Sequence, residues 1–186
     1  MRTGLLLVLF ALATCSFGGW QKESLYSNNA IIDRAFRFAI ADFLKTNGIT
    51  VDDVELLSIY SQLVAGTNYK FTYVNRNAPL KGIQETVVNV PLANSNGMMK
   101  VISDELKKEH YLLSLNDPRF SKVHQVVYNG FKNSETQKVL HIKKVSFVST
   151  ESATYFICTA QTPRGDGYYA VSYDKETSEY NLINKL

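Results

Sequence analysis

The fold of this chain is most constrained by the order of two kinds of sequence pattern. One segment with helical periodicity is followed by several segments with the pattern of β-strands. Between residues 28 and 46 apolar side chains recur every three or four positions, and polar side chains occupy the opposite face. Because an amphipathic helix must bury its apolar stripe, we expect an antiparallel sheet to wrap around this one long helix. The order of elements thus predicts an α+β fold. The strand patterns lie at 54–64, 69–75, 83–90 and 98–103.

Residues that favour turns and helix ends separate these elements. Ser27 or Asn28 is expected to cap the start of the helix, and the pair Asn47-Gly48 is expected to end it. The residues Ala65-Gly66-Thr67-Asn68 interrupt the alternation between two strand patterns. They predict a tight hairpin turn in which Gly66 takes the positive φ that such turns need.

The second half of the chain repeats the order of a helix followed by strands. We expect a linking helix over 104–115, a break at Asn116-Asp117-Pro118, and an amphipathic helix whose stripe runs from Phe120 to Phe131. The repeat predicts two units in tandem, 17–103 and 104–186, although a single larger sheet with two helices would satisfy the same patterns. Strand patterns lie at 139–148, 153–161, 168–173 and 179–183.

The first residues, 1–16, have the order of a secretory signal peptide. Arg2 precedes an apolar run from Leu5 to Ala13, and small residues follow the run. An uncleaved membrane anchor is the alternative, but the run is far shorter than the ~20 apolar residues that span a bilayer. We therefore predict a protein that is secreted or delivered to an endolysosomal or vacuolar compartment, with no membrane association.

The charge pattern gives no indication of a nucleic-acid partner. The chain has 186 residues and a formal net charge of +3, and its basic residues are interspersed with acidic ones. A nucleic-acid or anionic membrane surface would need clustered positive charge. The three histidines lack metal-ligand spacing with one another or with cysteine, so no metal and no cofactor is predicted. They are His110, His124 and His141.

The cysteine content predicts stability without disulfides. Cys15 is expected to leave with the signal peptide, so Cys158 would remain alone in the mature chain. Cys158 lies within the apolar run 155–158, where a cysteine is most often a small buried hydrophobe. Use of Cys158 as the nucleophile of a cysteine hydrolase is a weaker alternative, since nothing beside it in sequence suggests activation.

Three segments of the first unit form a pattern of their own. Residues 37–43 read Arg-Phe-Ala-Ile-Ala-Asp-Phe within the helix, Gln62-Leu63-Val64-Ala65-Gly66 forms the hairpin, and Gly18-Gly19 precedes the helix. In order and approximate spacing these segments resemble the cystatins, whose helix signature and Q-x-V-x-G hairpin they match. The cystatins are reversible protein inhibitors of papain-like cysteine proteases.

The resemblance implies an inhibitory edge made of the amino-terminal segment and two hairpins in a row. The edge would include Gly18 and Gly19, the hairpin from Gln62 to Gly66, and a second hairpin with Pro91 and Leu92. Cystatins usually present Pro-Trp at the second hairpin, so Leu92 stands where a larger side chain is expected. The smaller apolar area implies binding weaker by roughly 1–2 kcal/mol.

The implied function is physical blockade of a protease cleft and involves no enzymatic activity. A non-inhibitory cystatin-fold module that binds another protein remains the alternative. In the second unit, Ser146-Phe147-Val148-Ser149-Thr150 occupies the place of Q-x-V-x-G without the Gln or the Gly, so inhibition by that unit is not expected. The expected state is a monomer, with a domain-swapped dimer as a second state.

Two further motifs have plain structural explanations. Some cystatins block legumain through an asparagine after the helix, where Asn47 lies here, but Asn-Gly is also a common helix stop. Arg164-Gly165-Asp166 matches an integrin-binding tripeptide, yet the same residues suit a turn between two strands.

Overall fold

A computed structural model describes residues 19–93, 95–108 and 110–186, which form two five-stranded antiparallel sheets and two α-helices. The predicted α+β class is confirmed, and the alternative of a single larger sheet is wrong. The predicted signal peptide, 1–16, and Gly18 lie outside the described residues. Within the described part of the chain, no helix is both long and apolar enough to cross a membrane.

The first half of the chain forms a sheet in which strands neighbour one another in chain order. Each strand pairs antiparallel with the next, from β1 at one edge to β5 at the other. Its elements are β1 (Gln21–Lys22), α1 (Ala30–Asn47), β2 (Val54–Val64), β3 (Gly66–Asn75), β4 (Ile83–Val90) and β5 (Lys100–Lys107).

The second half has the same order of elements. A two-residue strand precedes a helix, and four strands follow in an antiparallel sheet. Its elements are β6 (Tyr111–Leu112), α2 (Pro118–Phe131), β7 (His141–Ser149), β8 (Ala153–Thr162), β9 (Gly165–Asp174) and β10 (Tyr180–Lys185).

The two sheets also share irregularities at equivalent places. The pairing register shifts near the start of the first strand after each helix, between Leu56 and Ser58 in β2 and between Ile142 and Lys144 in β7. It shifts again in the last strand of each sheet, β5 and β10. The two halves thus share the places of their bulges, features that bend a strand locally, as well as the order of their elements.

Helix α1 begins and ends at residues that satisfy its free backbone groups. Asn29 is the N-cap, and its side-chain oxygen accepts the N–H of Ile31 at 2.9 Å, so the predicted cap at Ser27 or Asn28 is wrong by one residue or more. Gly48 ends the helix as predicted, in the left-handed conformation with φ 62°. Four residues of its buried face pack against β2, β3 and β4: Ile32, Ala35, Ala39 and Ile40.

The predicted linking helix over 104–115 is wrong, because these residues extend the first sheet and begin the second. Strand β5 pairs with β4 as far as Lys107, and β6 follows at Tyr111. Asp104 Oδ1 accepts hydrogen bonds from Gln84 Nε2 at 2.5 Å and Thr86 Oγ1 at 2.6 Å. Pairing with β4 thus outweighs the helical preference of the sequence. The predicted unit boundary after Ser103 falls inside β5.

A third core joins the two halves through the sheet faces that point away from the helices. In β3, Tyr73 contacts Phe43 of α1, so the next residue, Val74, faces away from the helix. Ser58 Oγ and Tyr155 Oη share a buried hydrogen bond of 2.6 Å across this interface. The buried apolar residues of this core are Leu57, Val74 and Ile83 from the first half, and Val148, Ala153, Tyr155, Ile157 and Ala170 from the second.

Candidate functional site

The hairpin between β2 and β3 ends in an apolar tip. Leu63 is 71% exposed, Ala65 is exposed, and Gln62 and Val64 are half-buried. The predicted four-residue turn at 65–68 is too long, because Val64 already pairs with Gly66 and the next two residues belong to β3. The extra pairs stiffen the hairpin up to its tip.

Gly66 fixes this tip against the neighbouring loop. Its φ is 113°, as the sequence predicted, and L side chains rarely adopt that conformation. A Cβ atom at this position would lie 2.4 Å from the carbonyl oxygen of Val90 and 3.1 Å from Cα of Pro91. Only glycine allows the two loops to approach this closely, so Gly66 joins the first hairpin to the second.

The loop between β4 and β5 supplies the second apolar projection. Leu92 is 61% exposed, and Ser95 fixes its carbonyl through the backbone N–H at 2.9 Å and Oγ at 2.8 Å. Pro91 is half-buried, and Gly97 packs closely against its ring. Met98 is 81% exposed at the end of this loop and is a site candidate that the sequence patterns assigned to a strand instead. The exposed side chain of Met98 adds apolar surface to a loop in which Leu92 is smaller than the Trp usual in cystatins.

The amino-terminal segment runs along the first hairpin toward the same end of the sheet. Gln21 pairs with Ser61 and Lys22 with Tyr60, so the antiparallel register places Gly19 at the level of Leu63. Gly19 is exposed, and a Cβ atom there would meet nothing within 4 Å. The described parts of the three predicted segments thus lie at one end of the first sheet. We call Leu63, Val64, Ala65, Leu92 and Met98 the apolar edge.

The apolar edge carries no charge within the described residues of its two loops, 62–66, 91–93 and 95–99. The nearest basic residue along β3, Lys70, is buried, and its Nζ lies over the rings of Trp20 at 4.6 Å and Tyr60 at 5.4 Å. Below the tips, Asn89 Nδ2 donates to Asn68 Oδ1 at 2.8 Å. Because burial of charge is costly and burial of these side chains is favourable, the edge suits insertion into an apolar cleft.

Asn47 lies at the other end of the first half. It is the last residue of α1, close to the start of β2, whereas the apolar edge follows the end of β2. The exposed side chain donates from Nδ2 to the carbonyl of Phe43 at 2.9 Å, as a residue that ends a helix can do. The structure therefore does not bring Asn47 together with the apolar edge.

Cys158 is a core residue, as predicted. It is 0% exposed, and burial raises the pKa of its thiol to about 12. A nucleophilic cysteine needs an accessible thiolate, so the cysteine-hydrolase hypothesis is wrong and the protein is not an enzyme of that kind. Among the described residues, no group of three or more His, Cys, Asp or Glu side chains could hold a metal ion.

The tripeptide Arg164-Gly165-Asp166 begins in the turn between β8 and β9, and its Gly165 and Asp166 are the first two residues of β9. Gly165 has φ 110°, and its carbonyl accepts the hydroxyl of Thr162 at 2.8 Å. The carboxylate of Asp166 pairs with Lys143 Nζ at 2.7 Å. The turn interpretation of this tripeptide thus has a specific structural basis.

No family model and no curated protein matches the chain. Among solved structures, the chain is similar to a secreted type 1 cystatin from Fasciola hepatica, with 34% sequence identity and a TM-score of 0.37. The similarity covers 48% of this chain and 95% of that chain. This protein is thus similar to a cystatin over about half of its own length.

Proposed function

We propose that this protein is a reversible inhibitor of papain-like cysteine proteases that acts by binding. The observation that supports the proposal is the close contact of Gly66 with Val90 and Pro91, which sets two uncharged loops side by side. Their exposed apolar side chains project from the end of a paired sheet. In the proposed complex the apolar edge and the segment through Gly18 and Gly19 fill the active-site cleft.

The proposed mechanism needs no chemical step. The apolar edge would occupy the cleft around the catalytic cysteine and exclude substrate, while its own backbone stays in the hairpin and out of a cleavable pose. Rigid loops lose little entropy on binding, and an interface of about 1,600 Å² can then reach nanomolar affinity. The inhibitor would be released intact.

The second half is proposed to be a cystatin-like unit without inhibitory activity. In the second half, the corresponding hairpin joins β7 to β8. Its turn is closed by a hydrogen bond from the backbone N–H of Thr150 to the carbonyl of Ala153 at 2.8 Å. The adjacent Glu151 is exposed and charged. A charged tip is costly to desolvate in a protease cleft, so the first half alone would inhibit.

The proposal is tested with a charge placed on the apolar edge. Leu63→Glu should weaken inhibition of papain and a cathepsin L-type enzyme by about 30-fold or more, the loss expected at an interface hot spot. The matched control is Leu115→Glu, because Leu115 is 74% exposed in the second half. Equal inhibition by both variants would contradict the proposal. Absence of inhibition by the unaltered mature protein would favour the non-inhibitory binding module.

The remaining parts of the proposal concern state and location. We propose that the protein is secreted or delivered to an endolysosomal or vacuolar compartment. We also propose that the inhibitory form is a monomer, because in a domain-swapped dimer the hairpin of the apolar edge would open into one continuous strand. Legumain binding at Asn47 is a minor proposal. An Asn47→Ala variant that inhibits legumain as well as the unaltered protein would remove it.

A further inference from the structure

We propose that Asp174, in the second half, is a positioning residue that holds the amino-terminal segment in line with the apolar edge. The inference rests on the proposed inhibitory function and gives the second half a part in it. The structure places the carboxylate of Asp174 at the end of β9, where it is 4% exposed, and Lys22 Nζ lies 2.5 Å from its Oδ2. Lys22 belongs to β1, so the ion pair joins the two halves at the segment that leads to Gly19.

The amino-terminal segment makes contacts of its own with the first half, but its strand pairing is short. Strand β1 has two residues and pairs with β2 at Ser61 and Tyr60 only. Glu23 extends this pairing, since its backbone N–H donates to the carbonyl of Ile59 at 2.9 Å and its carboxylate accepts the hydroxyl of Ser61 at 2.5 Å. Trp20 lies against Lys70 Nζ, and Leu25 packs against the first core. A strand of this length at a sheet edge is marginal by itself. An anchor from the second half should therefore add to the order of the segment.

Asp174 is suited to this role because its own position is fixed. Its Oδ1 accepts the backbone N–H groups of Glu176 at 3.0 Å and Thr177 at 3.2 Å, while Oδ2 remains for Lys22. The next residue, Lys175, donates its backbone N–H to the carbonyl of Ser152 at 3.1 Å. The anchor thus belongs to two joined turns of the second sheet and does not move with the segment.

The charge state of the anchor suits acidic compartments. Burial alone would raise the pKa of Asp174, but the bond from Lys22 and the backbone N–H groups of Thr177 and Glu176 outweigh it and lower the pKa below its ordinary value. A carboxyl with a lowered pKa keeps its contribution until the pH falls through that folded-state value. The ion pair should therefore persist at the mildly acidic pH where lysosomal proteases act.

An ordered segment binds a protease cleft at a lower entropic cost than a free one. Loss of the ion pair should therefore speed dissociation from the protease and leave the apolar edge itself unchanged. The role of the second half would then be to present the amino-terminal segment, without any contact of its own with the cleft.

The test uses the mature full chain with Asp174→Asn, Lys22→Met and both changes together. Asparagine can still accept the N–H groups of Glu176 and Thr177, so the turn is kept while the charge is lost. Each variant should weaken papain inhibition about tenfold, mainly through faster dissociation, and the double variant should be no weaker than either one. The control is Asp166→Asn. Asp166 lies in β9 like Asp174, but its ion pair with Lys143 of β7 is exposed and does not involve the amino-terminal segment.

A second readout does not depend on inhibition. Hydrogen exchange of residues 19–25 should speed up in Asp174→Asn and Lys22→Met and stay unchanged in Asp166→Asn. Unchanged exchange in the first two variants would overturn the inference. So would unaltered inhibition by them when the parent protein inhibits papain. If the parent protein does not inhibit at all, the proposed function fails and the exchange experiment still decides whether Asp174 positions the segment.

Discussion

At the scale of single residues, the structure imposes two conditions at position 66 that only glycine satisfies. Its φ of 113° excludes ordinary side chains, and the carbonyl of Val90 occupies the place of a Cβ atom. Gly19 differs, because the space around it is open. Glycine at position 66 is therefore required by the fold itself, whereas glycine at position 19 would be required only by a partner.

This contrast gives a prediction for two alanine substitutions. Gly66→Ala should lower the free energy of unfolding by about 1–3 kcal/mol and weaken papain inhibition, since the two loops must separate. Gly19→Ala should leave the stability unchanged, because its side chain would meet nothing. Urea denaturation of both variants measures the difference, and equal stability of the two would contradict the structure.

At the scale of elements, the cap of α1 gives a second paired prediction. Asn29→Ala should cost about 1 kcal/mol, because its side chain satisfies the N–H of Ile31. Asn28→Ala should have little effect, since Asn28 lies outside the cap. Thermal denaturation of the two variants distinguishes them, and a larger loss for Asn28→Ala would place the cap where the sequence suggested.

Local patterns predicted most elements of this fold because each element follows its own periodicity. Strands β2 and β4 begin and end where the strand-like runs of the sequence do, and the stop at Gly48 follows from its freedom to take positive φ. Prediction failed over 104–115, where charged residues suggest a helix but Asp104 finds partners on β4. Such partners are distant in sequence, and no local pattern can reveal them.

The candidate site shows the same limit. The hairpin from Gln62 to Gly66 could be recognised from residue types, because its apolar tip and glycine are local features. Met98 could not be recognised, since its exposure depends on where β5 begins. The ion pair of Lys22 with Asp174 was equally hidden, because it joins residues from the two ends of the chain.

At the scale of the whole molecule, buried tyrosines should make the free energy of unfolding fall at alkaline pH. Desolvation raises the pKa of Tyr73 in the first core and of Tyr155 in the core between the halves. Tyrosines of the unfolded chain ionise near pH ~10 and release protons that the folded chain still holds. By linkage, the stability is fully present below that pH and falls as the pH rises above it.

Urea denaturation at pH 8 and at pH 10.5 should therefore show a lower midpoint at the higher pH. Tyr155→Phe should be less stable at pH 8, because Ser58 loses its buried partner at 2.6 Å. The same variant should lose less stability between the two pH values, since one ionising group is gone. A parent protein with the same midpoint at both values would contradict this account.

The most direct test of the central claim is hydrogen exchange of the mature protein with and without papain. The account predicts protection of the amino-terminal segment, of residues 62–66 and of residues 91–99, with the sheet of the second half unchanged. Protection centred on the second half, or none on the two loops of the apolar edge, would contradict it.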